Sequence, residues 1–328
     1  DAVVVPEERA HLVDGLVDYY NGKVTKVGPG AIALTDIASD KVALLVGGGT
    51  GHEPIYHGLI GEGMADGAAC GDIFAAPPPN IILEATRAVN KGKGVLYLYG
   101  NYAGDVMNFK IAAQLAAAEG IKVETVLIWD DVASAQPSTK EDRRGIAGLI
   151  PIVKIAGAAA DKAKDLDELV SLVTSARDNT RSVGVALSPG SIPATGKPTF
   201  ELDDDSIGIG MGIHGEQGVG IEKMMPADDL AEKLLNLILA DDLILESGDD
   251  VLVLINSLGS TTMMECLIVL KKVKALLVDK GIKIYDVMLG PLVTCQEMAG
   301  LSISLTKVDD TLKPLWDAPC SSLGHTKL

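Results

Sequence analysis

The chain has 328 residues, a formal net charge of −17 and an aromatic content of only 4%. This acidity argues against binding to nucleic acid or to an anionic membrane, because both need a basic face, and it suits a small neutral substrate or a partner with a basic rim. The four cysteines have no paired spacing and predict reduced thiols rather than disulfides or a zinc site. Without a long apolar run or a visible signal peptide, the sequence predicts a cytoplasmic protein.

The first half of the chain alternates between strand-like and helix-like patterns. Short apolar runs predict strands over residues 42–46, 94–99, 123–129 and 182–187. Apolar residues at helical spacing predict helices over residues 105–119 and 165–177. Alternating strands and helices are typical of a largely parallel sheet that is covered by helices on both faces.

The second half repeats this pattern after a connector rich in proline and glycine at residues 188–197. The sequence SIGIGMGIH (206–214) alternates with period two, which predicts an extended ribbon whose glycines leave room for a ligand. Further strands are predicted over 250–256, 282–289 and 301–306, and a long helix over 261–280. We therefore predict two α/β domains, each a mostly parallel or mixed sheet flanked by helices. They would span residues 1–180 and residues 181–328, and the second would carry the ribbon that ends at His214.

A glycine-rich segment, GGGTGHEP (47–54), follows the first buried strand. It lacks the last glycine of a dinucleotide fingerprint, and no G-K-[ST] of a Walker loop occurs in the chain. Bare backbone N–H groups after a strand can instead approach a small polar ligand, with His52 at the rim. The alternative is a tight turn in which His52 is only a cap.

Two further residues are candidates for chemistry. Asp105 follows a predicted strand at the start of a helix, where an aspartate is commonly an N-cap. The same position would direct its carboxylate into the ligand crevice of the sheet, where it could act as a general base on a hydroxyl. His214 is followed by GEQG, and it is either an exposed loop histidine or a nucleophile or proton shuttle that reaches across the domain gap.

Other catalytic patterns are missing from the sequence. No H-E-x-x-H motif occurs, and His57 lies five residues after His52, so we expect no metal site built from protein ligands alone. No serine lies in a G-x-S-x-G setting, which argues against a hydrolase. An aldolase or isomerase with His214 as base is disfavoured, because no lysine is placed for a Schiff base and no metal motif is present.

Several longer segments are together more specific than any one motif. They include GGGTGHEP (47–54), NYAGDVMNF (101–109), RRGIAG (143–148), GIHGEQG (212–218) and EMAGLSISL (297–305). In combination they resemble the dihydroxyacetone kinase family, and specifically its substrate-binding portion. The resemblance extends over nearly the whole chain.

The resemblance implies a homodimer of two-domain subunits that holds a short-chain ketose, with dihydroxyacetone as the family's usual substrate. In that family the histidine that matches His214 bonds to the substrate carbonyl as a hemiaminal, and the one that matches His52 hydrogen-bonds the ligand. The aspartate that matches Asp105 acts as base on the hydroxyl that is phosphorylated. Loop glycines, here Gly48 and Gly49, contact the ligand through their backbone.

The resemblance also implies that the phosphoryl donor lies outside this chain. The family carries its nucleotide and magnesium on a separate module, so no cofactor is expected here. ATP with Mg, or a phosphorylated carrier protein, would act through a nucleotide-binding DhaL-type subunit or domain. The implied activity is that of a glycerone kinase-like phosphotransferase whose acceptor is an alcohol group.

The chain departs from the family pattern at two places. Ala75 and Ala76 stand where family members typically carry Thr-Ser, and Gly100 stands where they typically carry a lysine. Ala76 and Gly100 would thus be substrate-binding positions in a wider and less polar pocket. Two alternatives follow, namely a kinase subunit for a larger ketose such as erythrulose and a non-catalytic paralogue that senses the ketose.

Overall fold

The computed structural model describes residues 8–193 and 195–328, which form two α/β domains. Each domain is built on a six-stranded mixed sheet. Within those ranges, no helix combines the length and the apolar character needed to cross a membrane.

The first domain has a sheet in which four neighbouring strands are parallel. Its strands are β1 (Val24–Gly28), β2 (Ala31–Leu34), β3 (Ala43–Thr50), β4 (Gly67–Ile73), β5 (Val95–Gly100) and β6 (Val123–Ile128). Their spatial order is β1-β2-β4-β3-β5-β6. Strands β4, β3, β5 and β6 run parallel, whereas β1 and β2 are antiparallel additions at one edge. The carboxyl ends of the four parallel strands therefore meet at one edge of the sheet, where α/β folds bind ligands.

Helices cover both faces of this sheet. They are α1 (Glu8–Tyr20), α2 (Pro79–Val89), α3 (Ala103–Ala118), α4 (Leu149–Ala160) and α5 (Leu166–Asp178), with short 3₁₀ helices at Tyr56–Leu59 and Pro137–Asp142. Helices α2 and α3 pack on one face, and α1, α4 and α5 pack on the other. Every residue of α4 is buried, which fits its almost wholly apolar sequence LIPIVKIAGAAA.

The second domain has a sheet whose strands are mostly antiparallel. Its elements in chain order are β7 (Thr180–Ser188), a separate small hairpin of β8 (Ser191–Ile192) and β9 (Lys197–Pro198), β10 (Ser206–Ile209), β11 (Gly220–Lys223), α6 (Ala227–Leu239), β12 (Asp250–Ser257), α7 (Met263–Asp279), β13 (Lys283–Gly290), β14 (Ala299–Val308), α8 (Lys313–Trp316) and a terminal hairpin of β15 (Cys320–Ser321) and β16 (Thr326–Lys327). The sheet order is β11-β10-β7-β14-β12-β13, and only β12 and β13 are parallel. Helices α6 and α7 pack on one face of the sheet.

The other face of the second sheet packs against the first domain, so the two domains share an apolar core. Ile150 and Ile152 of α4 belong to the same buried cluster as Leu252 and Leu254 of β12 and Trp316 of α8. This shared core fixes the position of one domain relative to the other. The second sheet begins at Thr180, and the proposed boundary between residues 180 and 181 stays a prediction.

Buried ion pairs also connect the two domains. Arg143 donates two hydrogen bonds to Asp241, at 2.9 and 2.6 Å, and Arg181 bonds both Asp241 and Asp242. The guanidinium of Arg181 also lies 5.1 Å from the centre of the Trp129 ring. Because Arg143 and Trp129 belong to the first domain and the two aspartates to the second, this cluster crosses the interface.

The predicted strands and helices are confirmed, with ends that differ by a few residues, but two details are wrong. The glycine segment predicted as a loop is mostly strand, since β3 continues to Thr50 and pairs Gly47 with Ala69. A side-chain carbon at Gly47 would lie 2.2 Å from the Ala69 carbonyl oxygen, so this close pairing needs a glycine. The ribbon is shorter than predicted, because Gly210 has a φ of +68° that ends β10 and leaves His214 in the following loop.

Candidate active site

A cavity of about 320 Å³ opens where β3, β4 and β5 end, in the size range of small-molecule sites. Its wall is formed by Gly49 near the end of β3, His52 and Tyr56 after β3, residues 74–76 after β4, residues 102–105 at the start of α3, and Ile213, His214 and Glu216 from the loop between β10 and β11. The cavity therefore lies between the two domains. The structure brings together His52, Asp105 and His214, which the sequence analysis selected from three distant segments.

The two candidate histidines are in direct contact. Nε2 of His52 lies 2.9 Å from Nε2 of His214. Nδ1 of His52 lies 2.6 Å from the carbonyl oxygen of Thr294, which can only accept, so this nitrogen carries a hydrogen. Burial, and then the charge of His214, lower the pKa of His52 to about 3. His52 is therefore neutral at pH 7, and its Nε2 is a hydrogen-bond acceptor.

The second domain fixes the segment that carries His52. The backbone N–H of Thr294 donates to the His52 carbonyl at 3.2 Å, and the Thr294 hydroxyl donates to the Glu53 carbonyl at 2.9 Å. The N–H of Gln296 donates to the carbonyl of Gly51 at 3.0 Å. The sequence analysis missed Thr294, because nothing in PLVTCQEM (291–298) marks a residue that orients a distant histidine.

Glu216 orients the ring of His214. One carboxylate oxygen lies 2.6 Å from Nδ1 of His214, and the other accepts the backbone N–H of the same residue at 3.0 Å. Burial raises the pKa of Glu216, but the hydrogen bonds from His214 and its charge outweigh this and lower the pKa to about 2. A side-chain carbon at Gly212 would lie 2.1 Å from that carboxylate, and Gly215 has a φ of +84°. Glycines in GIHGEQG thus make room for the carboxylate and allow the turn.

Arg144 holds this loop against the first domain. Its guanidinium donates to the carboxylate of Asp131 at 3.0 Å and to the carbonyl of Gly210 at 2.9 Å, and it lies 4.0 Å from the Glu216 carboxylate. Arg144 lies in the RRGIAG motif, which was the one sequence signal for its role. The sequence analysis assigned no role to Arg144 or Glu216.

Asp105 presents an unpaired carboxylate to the cavity. Helix α3 begins at Ala103 with Tyr102 at its N-cap position, so the N-cap interpretation of Asp105 is wrong. Its Oδ1 atom is buried and has no hydrogen-bond partner among the described residues. Burial raises the pKa of Asp105 to about 7, although the charge of His214 lowers it in part. A buried carboxylate oxygen without a partner at a cavity wall is suited to bind a ligand hydroxyl.

Aromatic rings enclose the histidine pair. The ring of Phe74 lies 5.0 Å from that of His52 and 5.6 Å from that of His214, and the ring of Tyr102 lies edge-on to His214 at 5.1 Å. The Tyr102 hydroxyl is buried and has no partner among the described residues. These rings reduce the contact of the histidines with water. The sequence analysis assigned neither aromatic residue to the site, although Tyr102 lies within a motif that it used.

The glycine and alanine positions singled out in the sequence analysis divide into those that line the cavity and those that do not. Gly49, Ala75 and Ala76 line the cavity, whereas Gly48 and Gly100 lie behind its wall. The Tyr56 ring occupies the space that a side chain on Gly48 would need, with a nearest approach of 2.4 Å. A side-chain carbon on Gly100 would lie 3.1 Å from the Tyr102 ring. Their role as ligand contacts stays a prediction.

The described residues do not form a metal site. No group of three or more His, Cys, Asp or Glu side chains is placed there to hold a metal ion. The cavity wall contains histidine, acidic, aromatic, aliphatic and glycine residues and neither lysine nor arginine.

Comparisons with known proteins show the family of this chain. The model of the Dak1 domain matches residues 14–324. The chain belongs to the Dak1 domain family. The family resemblance predicted from the motifs is thereby confirmed.

The chain is also similar to individual proteins and to solved structures. The chain is 44% identical over 282 residues to the dihydroxyacetone-binding subunit DhaK of the PTS-dependent dihydroxyacetone kinase 2 of Listeria innocua, covering 86% of this chain and 84% of that one. It is 38% identical to the L-erythrulose kinase of Pectobacterium atrosepticum, covering 96% of this chain but 54% of the relative. Among solved structures, the dihydroxyacetone kinase operon co-activator DhaQ superposes with a TM-score of 0.91 at 31% identity, covering 98% of this chain and 99% of that one.

Proposed function

We propose that this chain is the ketose-binding subunit of a dihydroxyacetone-type kinase. His214 would hold the substrate carbonyl as a hemiaminal while a donor on a partner phosphorylates a terminal hydroxyl. The observation that carries the proposal is the contact between His52 and His214 in the cavity that also contains the unpaired carboxylate of Asp105.

Covalent capture explains how the site would select its substrate. An imidazole nitrogen can add to a ketone carbon, whereas a polyol such as glycerol offers no such carbon. The bond would therefore separate ketoses from polyols more sharply than hydrogen bonds to hydroxyl groups alone. It would also fix the orientation of the substrate, which favours an in-line attack on the donor.

Asp105 would be the general base for the hydroxyl that is phosphorylated. Its pKa of about 7 is close to the working pH, where a carboxylate combines sufficient ionisation with sufficient basicity. Because its Oδ1 has no partner in the described structure, a substrate hydroxyl can occupy that position. The other terminus of the captured ketose would then lie near the aromatic wall.

The donor would be supplied from outside this chain. Phosphoryl transfer needs cations near the transferred group, and the cavity wall contains neither lysine nor arginine. We infer that ATP with Mg, or a phosphorylated carrier protein, acts through a nucleotide-binding DhaL-type subunit or domain. The match to the L-erythrulose kinase covers 54% of that relative's length. The homodimer is proposed from the family resemblance alone.

The substrate could be larger than dihydroxyacetone. Ala75 and Ala76 both line the cavity, and their methyl side chains leave space where the family pattern has larger polar residues. A four-carbon ketose such as erythrulose adds one hydroxymethyl group that this space would accommodate. The similarity to an L-erythrulose kinase supports this alternative.

A non-catalytic ketose sensor is the second candidate function. The structural similarity to an operon co-activator favours it, with a TM-score of 0.91 over nearly the whole of both chains. A sensor needs capture of the ketose but no general base. The retained, unpaired Asp105 therefore favours the kinase subunit.

The test combines the chain with its nucleotide-binding partner and either Mg·ATP or a phosphorylated carrier protein. Dihydroxyacetone and both enantiomers of erythrulose are offered to the wild type, to Asp105→Asn and to His214→Ala. We expect phosphorylation of at least one ketose by the wild type and a loss of about 10²–10⁴-fold in Asp105→Asn, the usual contribution of a general base.

Native mass spectrometry on the same samples reports capture of the ketose. Asp105→Asn should retain the added mass, and His214→Ala should lose it. Capture by the wild type without any transfer would replace the kinase proposal by the sensor. If the wild type shows no capture and no transfer, both the kinase proposal and the sensor proposal are refuted.

A further inference from the structure

Four groups form a continuous chain of contacts across the domain interface, and the inference drawn from it rests on the proposed function. The carbonyl of Thr294 contacts Nδ1 of His52, Nε2 of His52 contacts Nε2 of His214, and Nδ1 of His214 contacts the carboxylate of Glu216, at 2.6, 2.9 and 2.6 Å. Both ends of this chain can only accept hydrogen bonds. The chain therefore fixes the number of protons on the two rings.

Each of the three contacts needs one hydrogen. The carbonyl of Thr294 and the carboxylate of Glu216 each require an N–H on the Nδ1 atom that faces them. Two neutral histidines have two N–H groups in total, and both would be used at the ends. The central contact would then place two nitrogen lone pairs 2.9 Å apart. The pair must therefore hold one additional proton, and a net positive charge, between its two Nε2 atoms.

The surroundings place that charge on His214. His52 is almost fully buried, with 2% of its surface exposed, and its Nδ1 faces a neutral carbonyl. Burial and the charge of His214 lower the pKa of His52 to about 3. The ring of His214 faces a carboxylate instead. The resting site thus contains an imidazolium and a carboxylate, and His214 has no free lone pair for attack on a ketone.

We propose that Glu216 is a positioning residue that keeps His214 positively charged before and after ketose capture. His214 passes its Nε2 proton to Nε2 of His52, and the freed lone pair of His214 attacks the carbonyl carbon. The electron pair of the C=O π bond moves to oxygen, which takes the proton from His52. One N–C bond and one O–H bond form, one N–H bond and one π bond break, and the number of protons is unchanged.

The product is a ring that Glu216 is placed to stabilise. After capture, His214 is an N-alkylimidazolium whose Nδ1–H still faces the Glu216 carboxylate. That carboxylate is held from two sides, by the backbone N–H of His214 at 3.0 Å and by Arg144 at 4.0 Å. The absence of a side chain at Gly212 leaves the space that it occupies.

Other titratable groups also face the pair or its carboxylate. They are Asp105 in α3, Tyr102 at the N-cap of α3, Arg144 after β6, and Cys295 of the 291–298 segment. Burial, and then Glu216 and Glu297, raise the pKa of Cys295 to about 12, so its thiol is neutral. Arg144 is committed to Asp131 and Gly210. Asp105 titrates near pH 7, so its contribution is removed by measuring in the Asp105→Asn background.

This arrangement makes a specific prediction for the pH dependence of capture. Where the free pair holds its shared proton, capture takes up no proton and the affinity for the ketose is constant. At higher pH, where the free pair has lost that proton, capture must take one up, and the affinity falls about tenfold per pH unit. We call the pH at which the affinity begins to fall the break. Replacing the Glu216 carboxylate by an amide should move this break to lower pH.

The experiment measures capture directly with a ketose that carries ¹³C at its carbonyl carbon. Conversion of the carbonyl signal into that of a tetrahedral carbon gives the adduct dissociation constant, between about pH 5 and about pH 9, the range around histidine titration. Glu216→Gln should lower the pH of the break, because the lost hydrogen bond to a charged group is expected to shift proton binding by the equivalent of about 10- to 100-fold, and it should therefore weaken the adduct only at pH values above the new break. Glu216→Asp should restore the wild-type break. Glu222→Gln, on β11 of the same hairpin and paired with Lys233, is the matched control.

Two results would overturn the inference. One is a Glu216→Gln adduct with wild-type affinity and an unchanged break, and the other is a Glu216→Asp variant that behaves like Glu216→Gln. If thermal unfolding shows that Glu216→Gln does not fold, the profile of the Asp105→Asn protein with Glu216 intact decides, and a slope across the whole range without a flat region overturns the inference. A wild type that forms no tetrahedral carbon would refute covalent capture itself, which is a failure of the proposed function.

Discussion

His52 and His214 show how the surroundings of a residue set its chemistry. Both have the same side chain and they touch through the same atom, Nε2. Burial against the carbonyl of Thr294 makes the Nε2 atom of His52 a neutral acceptor, whereas Nδ1 of His214 faces the carboxylate of Glu216. The two rings therefore have different roles, which neither sequence position reveals.

The surroundings of Asp105 disfavour its charged form, because the buried carboxylate is poorly solvated. Burial raises its pKa from the ordinary 3.8 to about 7, so the folded protein holds the proton more tightly than the unfolded chain. Ionisation therefore lowers the stability of the fold. The cost is absent below about pH 4, grows up to about pH 7 and is constant above it.

We accordingly expect Asp105→Asn to stabilise the protein in a pH-dependent way. At about pH 8 the free energy of unfolding should rise by about 2–4 kcal/mol, from a pKa shift of some three units, and at about pH 4 it should be unchanged. Urea unfolding at the two pH values measures this, with Asp204→Asn at an exposed position as the control. An equal gain at both pH values would show that the charge of Asp105 is not the cause.

At the scale of elements, the loop between β10 and β11 is built around one carboxylate. Its backbone bonds close the loop on itself, from the N–H of Gly212 to the carbonyl of Glu216 and from the N–H of Gly215 to the carbonyl of Gly212. Arg144 then joins the loop to the end of β6 through Asp131. The loop is thus a rigid support for His214 and not an exposed tip.

A methyl group at Gly212 tests this description. In Gly212→Ala the new carbon would lie 2.1 Å from the Glu216 carboxylate and 2.5 Å from the Arg144 guanidinium, so the carboxylate must move away from His214. We expect the pH above which capture weakens to fall by about one unit, the effect of losing one hydrogen bond to a charged group, so that the ketose adduct is about tenfold weaker at pH values above the wild-type break. The control is Gly220→Ala on β11, where nothing lies within 4 Å of the new carbon. Equal effects of both substitutions in the ¹³C titration would contradict the role of the loop.

At the scale of the whole molecule, the site exists only because the domains are fixed relative to each other. His52 belongs to the first domain, His214 and Thr294 belong to the second, and all three contacts in the histidine chain are below 3 Å. The shared apolar core and the ion cluster of Arg143, Arg181 and Asp241 maintain that position. A shift of the domains by one ångström would break the chain.

The ion cluster can be tested by removing its central charge. Asp241→Asn removes the carboxylate that pairs with the fully buried Arg143, whose next carboxylate, that of Asp242, lies 3.8 Å away, whereas Arg181 keeps its pair with Asp242. The free energy of unfolding should fall by about 3–5 kcal/mol, as for other broken buried ion pairs. Glu119→Gln breaks the exposed pair with Arg87 and should leave the free energy of unfolding almost unchanged, because water screens this pair. Similar losses in urea unfolding would show that the buried cluster does not hold the domains together.

The sequence by itself determined the local structure and the candidate residues. Strands such as β5 and helices such as α3 and α5 follow from apolar periodicity and end signals, because these depend on neighbouring residues. His52, Asp105 and His214 were found because each follows a strand pattern within a distinctive motif. The family was also determined at this level, since its motifs are short local strings.

Only the tertiary structure decided how those residues work. Thr294 orients His52 across 242 positions of sequence, Glu216 contacts Nδ1 of His214, and Arg144 lies beside the Glu216 carboxylate. The placement of Gly48 and Gly100 behind the cavity wall depends on the rings of Tyr56 and Tyr102. Such contacts arise from the packing of one domain on the other. They leave no periodic trace in the sequence, because the residues involved are close in space but far apart along the chain.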